Sequence, residues 1–174
     1  MSRFTAVLFP LLFLVSGATL GAPRRDPLPG WVAVDSAART LILTLEAIPG
    51  GPEGTVTLNG EHHGSVQVVV PLGWTVKWAW TNRDSLQNHS LVVMAEREKL
   101  PTEGGRPALE NAMSRAVTAG LRPGQKDLTT FVADQAGWYW MLCGVPGHAI
   151  RGEWIGLKVD REAAMPAVVR RREG

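Results

Sequence analysis

From Thr40 onward the chain consists of short apolar segments separated by turn residues. These segments are rich in Val, Ile, Leu, Thr and Trp, and Gly, Pro, Asn or Asp bounds most of them: TLILTLEAI, GTVTLNG, GSVQVVVP, GWTVKWAWTN, HSLVVMA, KDLTTFVAD, GWYWMLC and EWIGLKVD. This composition and spacing are typical of β-strands. Several short strands with regular turn signals predict an all-β sandwich or barrel rather than a βαβ fold.

Residues 95–120 interrupt this pattern. Their sequence, AEREKLPTEGGRPALENAMSRAVTAG, contains helix formers and little alternation of apolar and polar positions. It predicts a long connection with one helical turn around residues 108–113. Such an excursion fits the crossover of a Greek-key β-sandwich.

Alternation assigns the side chains of two predicted strands to faces, because successive residues of a strand point to opposite sides. In GWTVKWAWTN one face carries Trp74, Val76, Trp78 and Trp80. In GWYWMLC one face carries Tyr139, Met141 and Cys143, and the other carries Trp138, Trp140 and Leu142. A strand that is apolar on both faces is covered on both, and we expect the 95–120 connection to supply the second cover.

The length of 174 residues fits one ordinary domain preceded by a signal peptide. The chain begins MSRFTAVLFPLLFLVSGATLGAP, in which Arg3 precedes an apolar stretch and small residues follow. This predicts a signal peptide over residues 1–22, cleaved after Ala18 or Ala22, and export to the periplasm or medium. The apolar stretch is short for a membrane span, so we expect no stable membrane insertion after cleavage.

Composition divides the remainder into three parts. APRRDPLPG predicts a linker over residues 23–38, the strand-rich region predicts a domain over 39–160, and VVRRREG predicts a flexible basic tail over 161–174. The net charge is +2, and part of the basic excess lies in that tail. This charge is too small and too localised to indicate nucleic-acid binding.

Cys143 is the only cysteine of the chain. An exported chain with one cysteine forms no internal disulfide, and a lone thiol in an oxidising compartment is prone to oxidation. Cys143 is therefore buried and inert, paired between chains, or held by a metal.

The neighbours of Cys143 favour the metal. A mononuclear copper electron-transfer site uses two imidazoles and one thiolate in a roughly trigonal plane with a weak axial ligand. Cys143 ends a predicted strand, and the turn GVPG returns the chain to His148. His89 opens another predicted strand in NHSLVV. A buried, inert cysteine beside a structural histidine remains the alternative from these residues alone.

The motifs resemble a known family. NGEHHGSVQVVVPLGWTVKWAWTNRDSLQNHSLVV, the AGL and PG elements of residues 119–124, and AGWYWMLCGVPGHAIRGEWIGLKV are similar to sulfocyanin and its relatives in the cupredoxin superfamily. The resemblance covers residues 40–160 and implies a Greek-key β-sandwich with one type 1 copper that shuttles electrons. It also implies that His89, Cys143 and His148 are the equatorial copper ligands.

The family pattern places a methionine at position 153, where this chain has Glu153. Three interpretations are open. Glu153 coordinates copper, which favours Cu(II) and lowers the potential because a carboxylate is a hard anionic ligand. In the second interpretation, Glu153 turns to solvent or pairs with Arg151 and does not bind the metal. In the third, Met141 or Met94 takes the place of the axial ligand. The same donor set also suits Zn²⁺, although intrinsic affinity favours Cu²⁺.

Neighbouring polar residues supply candidates for orienting the ligands. Metal-bound imidazoles usually donate their other ring N–H to a partner, and Asn82, Asp84 and Asn88 lie near His89 in the sequence. Ser90 matches a cupredoxin position that often hydrogen-bonds the other ligand loop. We interpret His62 and His63 as residues of an exposed turn.

The predicted function is single-electron transfer between redox partner proteins by an exported, monomeric copper protein that is not an enzyme. Pro146, Ala149 and Ile150 surround His148 in the sequence, and we expect them to form the docking patch. The alternative is a copper-handling or small-molecule-reactive copper protein, with nitric oxide as an example, that has an open coordination position.

Overall fold

The computed structural model describes residues 27–170, so the predicted signal peptide lies outside the described residues. That range contains ten strands: β1 Val32–Asp35, β2 Thr40–Ile48, β3 Thr57–Leu58, β4 Val66–Pro71, β5 Thr75–Asn82, β6 Val92–Ala95, β7 Lys126–Val132, β8 Gly137–Leu142, β9 Trp154–Asp160 and β10 Ala167–Arg170. Within the same range, no helix is long and apolar enough to cross a bilayer.

The strands form two sheets that pack face to face. The first has the order β1-β2-β5-β7, with β3 paired to β2, and the second has the order β10-β4-β9-β8-β6. The pairs β2–β5 and β4–β9 are parallel, so each sheet is mixed. The all-β sandwich predicted from the sequence is confirmed.

Alternating side chains fill the space between the sheets. Trp78 and Trp80 of β5 and Met141 of β8 are almost completely buried in this core. The faces that the alternation assigned to Trp78 and Trp80 and to Met141 are therefore the inward faces of these two strands. Burial of large apolar side chains, each contributing about 1.5–3 kcal/mol, holds the two sheets together.

The sheets extend beyond the predicted domain bounds. β1 lies in the segment predicted as a linker and pairs antiparallel with β2, while β10 lies in the predicted tail and pairs antiparallel with β4. Val32 and Val168 pack against the core. Each of these strands has only four residues, too few to show a clear alternating pattern beside basic and proline-rich flanks.

The connection between β6 and β7 covers the outer face of the second sheet. Leu100 and Val117 pack against Trp140 and Leu142, which confirms the predicted second cover at these two residues. Trp138, on the same face, is 50% exposed and lacks that cover. Around residues 108–113 the chain makes a turn closed by a hydrogen bond from Ala112 N–H to Leu109 O (3.1 Å) rather than a helix. Both of these residues are fully buried, so packing rather than helix propensity decides the local conformation.

The same connection approaches the chain after β8 closely. Gly104 N–H donates to Gly144 O over 2.8 Å, and Gly147 N–H donates to Thr102 O over 2.7 Å. A Cβ atom on Gly144 would lie 2.4 Å from Val117 Cγ1 and 3.1 Å from Gly104 Cα. A glycine is therefore required at position 144 for the two segments to pack.

Replacing Gly144 with alanine should destabilise the protein, because backbone or a short branched side chain must move to accept the methyl group. We expect Gly144→Ala to lower the free energy of unfolding by about 1–3 kcal/mol, the usual effect of overpacking. Urea denaturation measures this change. Gly105→Ala is the control, since its Cβ would lie 3.8 Å from Met94 Cε. Equal stability of the two variants would contradict the packing argument.

Candidate metal centre

Four buried side chains converge at one end of the sandwich. His89 precedes β6, Cys143 follows β8, His148 lies in the next turn, and Glu153 precedes β9. One ligand atom from each lies within 4.8 Å of all the others. The structure thus brings together all four residues that the sequence analysis selected.

We call these four side chains, His89, Cys143, His148 and Glu153, the ligand cluster. The distances between their donor atoms are those of atoms arranged around a common point. His148 Nδ1 lies 3.1 Å from His89 Nδ1 and 3.6 Å from Cys143 Sγ, and the His89 Nδ1 to Cys143 Sγ distance is 3.8 Å. Glu153 Oε2 lies 2.8 Å from His89 Nδ1 and 3.2 Å from His148 Nδ1. The carboxylate therefore points into the cluster.

Ser90 joins the segments that carry His89 and Cys143. Its N–H donates to Cys143 Sγ over 3.4 Å, and its hydroxyl donates to Val117 O over 2.6 Å. The same hydroxyl oxygen accepts the N–H of Gly144 over 2.9 Å. Ser90 thus holds the sulfur-bearing loop in place and directs an N–H dipole at the sulfur, which favours the thiolate.

Backbone bonds position Glu153 opposite Cys143. Cys143 N–H donates to Glu153 O over 3.0 Å, and Glu153 N–H donates to His148 O over 3.3 Å. Gly152 before it has φ 106°, and a Cβ there would lie 2.3 Å from His63 Nε2. Both the left-handed backbone and the contact with the His63 ring require glycine.

Asp84 orients the first imidazole. Its Oδ2 lies 3.1 Å from His89 Nε2, and the two side chains are almost fully buried. The carboxylate has only acceptor atoms, so Nε2 carries the hydrogen and Nδ1 is the nitrogen available to a metal. Asp84 is held in turn, since Leu86 N–H donates to its Oδ1 and its own N–H donates to Asn82 Oδ1. Asn82 and Asn88 bind backbone carbonyls instead of the ring.

The electrostatics of the cluster favour a cation. Burial raises the pKa of the Cys143 thiol, and the negative charge of Glu153 raises it further. Burial lowers the pKa of His89, but the hydrogen bonds and charges of Glu153 and Asp84 outweigh burial and raise its pKa above the ordinary value. The two buried carboxyl groups therefore give the cluster a negative potential that a metal ion offsets, and an ion bound there would also displace the proton that burial keeps on the thiol.

The residues fit a copper ion. Bonds from a metal to nitrogen and sulfur are about 2.0–2.3 Å, and donors that share one ion therefore lie about 3–4 Å apart. The five distances given above run from 2.8 to 3.8 Å, close to that range. Thiolate and imidazole suit copper in both oxidation states. Met141 lies in the main core and Met94 packs beside Trp140, so neither belongs to the ligand cluster.

The sandwich fold and this buried donor set define a cupredoxin-type protein with one copper ion as its cofactor. The chain belongs to the sulfocyanin family, because the Sulfocyanin (SoxE) domain matches residues 30–170. It is 26% identical over 141 residues to the sulfocyanin of Sulfolobus acidocaldarius, a match that covers 77% of this chain and 70% of that protein.

Solved structures show the same fold. A rusticyanin variant aligns with a TM-score of 0.50 and 21% identity over 70% of this chain and 78% of that chain. The copper nitrite reductase of Nitrosomonas europaea aligns with a TM-score of 0.52 and 26% identity over 72% of this chain and 43% of that chain. The second is a copper protein by name and a longer chain, of which the match covers less than half.

Sequence reasoning left one contributor to the site undecided and did not connect another to it. Asp84 was one of three candidates for His89, and only the fold shows which side chain reaches Nε2. In the turn that was expected to be exposed, His63 is exposed and His62 is half-buried, and the backbone N–H of His63 donates to Gly152 O over 2.8 Å. No sequence pattern links residue 63 to residue 152, since their contact is a product of sheet packing.

Removal of the Asp84 carboxylate should weaken copper binding, because His89 loses the acceptor that fixes its tautomer and ring orientation. We expect Asp84→Ala to reduce copper affinity about 10–100-fold and Asp84→Asn, which retains an acceptor oxygen, to reduce it less. Competition with a chelator measures the affinity. Asp134→Ala, an exposed position at the far end of β7, is the control. Unchanged affinity in Asp84→Ala would contradict the role assigned to this carboxylate.

Proposed function

We propose that this protein carries single electrons between redox partners through one copper ion held by His89, Cys143, His148 and Glu153, without catalysing a reaction of its own. The observation that carries the proposal is the buried cluster in which these four ligand atoms lie within 4.8 Å of one another. Copper bound there supplies a one-electron couple between Cu(I) and Cu(II). Membership in the sulfocyanin family supports the same conclusion.

The chain's own residues supply rigidity. Ser90 fixes the Cys143 loop, Asp84 fixes His89, and the backbone pairing of Cys143 with Glu153 fixes the carboxylate. The geometry of a donor set that is fixed by such hydrogen bonds changes little when the copper ion gains or loses an electron. Little rearrangement keeps the barrier to electron transfer low.

Glu153 is proposed as the fourth ligand. Its side chain is 2% exposed and its Oε2 faces both imidazole Nδ1 atoms, which opposes the alternatives of a solvated carboxylate or a pair with Arg151. A carboxylate is a hard donor that favours Cu(II). We therefore expect a lower potential than the same site would have with methionine.

The docking surface is proposed to lie around His148. This imidazole is 7% exposed, whereas His89 and Cys143 are 0% exposed, so the cluster comes nearest to the surface there. Pro146 and Ile150 beside it are exposed and apolar. Ala149, expected from the sequence to share this patch, is instead buried against Trp140 and Leu142. Small apolar patches suit the weak, transient contacts of redox proteins.

From the sequence, we propose that the protein is exported after cleavage of a signal peptide over residues 1–22. We also propose that it acts as a monomer.

A copper protein that reacts with small molecules is a second candidate, and one observation favours it. A cavity of about 140 Å³ adjoins the ligand cluster, and His89, His148 and Glu153 form part of its wall. Fast electron self-exchange in the copper-loaded protein would favour the carrier, and slow exchange with a ligand-sensitive spectrum would favour the second candidate.

Replacing Glu153 with methionine tests the fourth ligand. We expect Glu153→Met to shift the Cu(II) absorption and electron paramagnetic resonance toward a conventional blue copper site. The potential should rise by about 60 mV or more, which is a tenfold change in relative affinity for a one-electron couple. Glu162→Met, at an exposed position beyond β9, is the control. Identical spectra for Glu153→Met and the parent would show that the carboxylate does not bind copper.

A further inference from the structure

A second cavity, of about 170 Å³, lies on the outer face of the second sheet and shares no residue with the ligand cluster. Part of its wall is apolar, since Met94, Ala95 and Ala108 are half-buried there and Trp140 is 5% exposed. An apolar cavity of about 150 Å³ is large enough to hold benzene. This cavity therefore has room for one six-membered aromatic ring.

Three cationic side chains, Arg97, Lys99 and Arg106, line the same cavity. All three are exposed, and none of them forms an ion pair with another of the described residues. No acidic residue of the described chain lines this cavity, although the same connection carries Glu96, Glu98 and Glu103. The charged part of the wall is therefore entirely positive.

Two larger surface cavities differ from this one in charge. The cavity of about 270 Å³ beside β7 is lined by Arg115 and Asp127, which pair with each other over 3.2 Å. The cavity of about 490 Å³ beside residues 106–113 is lined by Glu110 as well as Arg106. The cavity at Trp140 instead combines an apolar wall with unpaired cations, and this combination recognises an anion that has an apolar body.

We propose that this cavity binds a small aromatic carboxylate. The ring lies against Trp140 and Met94, and the carboxylate lies among Arg97, Lys99 and Arg106. A guanidinium group suits this role because its planar N–H groups match the two oxygens of a carboxylate. The copper ligands take no part in this site, so the proposal goes beyond the proposed function and does not rest on it.

Titrations of the nitrogen-15-labelled full chain loaded with Cu(I), followed by nuclear magnetic resonance, test this proposal. Benzoate is compared with benzyl alcohol, which has the ring without the charge, and with acetate, which has the charge without the ring. We expect benzoate to shift the signals of Trp140 and Ala108 and to bind about tenfold more tightly than either control. Each exposed ion pair contributes up to about fivefold, and removal of the ring from water supplies the advantage over acetate.

Two double variants sharpen the test. Arg97→Gln combined with Arg106→Gln should weaken benzoate binding about tenfold, because two ion pairs are lost, and should leave the binding of benzyl alcohol unchanged. Arg39→Gln combined with Arg122→Gln is the matched control. It removes the same charge from two exposed arginines that lie outside the cavity, and we expect it to bind benzoate as the parent does.

Several outcomes would overturn this proposal. Equal affinity for benzoate and benzyl alcohol, or an equal loss in the two double variants, would rule out recognition of the carboxylate at this cavity. Equal affinity for acetate and benzoate would rule out a site for the ring. The same titrations on the copper-free full chain, with copper loading measured separately, decide the carboxylate site whether or not the copper site is correctly assigned.

Discussion

The structure depends on one electrostatic constraint, which is the burial of several acidic groups at a single point. Cys143 and Glu153 meet two imidazoles within 4.8 Å, and Asp84 stands directly behind one of them. Each charged group removed from water costs several kcal/mol unless it is paired and hydrogen-bonded. A metal cation at the centre compensates the thiolate and the carboxylate together, which explains why an apolar sandwich accommodates them.

Two carboxylates flank the first imidazole of the ligand cluster. His89 lies between Glu153 at Nδ1 and Asp84 at Nε2, with distances of 2.8 Å and 3.1 Å. Both carboxylates increase the negative potential among the donor atoms, and with the coordination proposed above both would favour the more highly charged oxidation state. Glu153 also takes the place of a bulkier, softer side chain beside a cavity.

The long connection between β6 and β7 is the scaffold of the site as well as a cover for the sheet. Leu121 exchanges both backbone hydrogen bonds with His89, Val117 O accepts the Ser90 hydroxyl, and Gly104 binds Gly144 in the sulfur-bearing loop. One irregular segment thus fastens two ligand-bearing segments that are more than fifty residues apart in the chain. The segment can do this because it is irregular. In a regular helix, the backbone N–H and C=O groups would be occupied by hydrogen bonds within the helix.

The sequence by itself predicted the strands between Thr40 and Asp160, the residues that share a face in two of them, and His89, Cys143 and His148 as ligands, with Glu153 as one of three interpretations of the fourth position. Period-two alternation is a local property, and Trp78 and Met141 follow it without regard to distant neighbours. The spacing from Cys143 to His148 and Glu153 is likewise local, because one turn carries all three. Tertiary structure alone decided the direction of the Glu153 side chain, the choice of Asp84 over Asn82 and Asn88, and the edge strands β1 and β10. Those features depend on which segments meet across the sandwich, and contacts such as His63 with Gly152 arise between residues that share no local pattern.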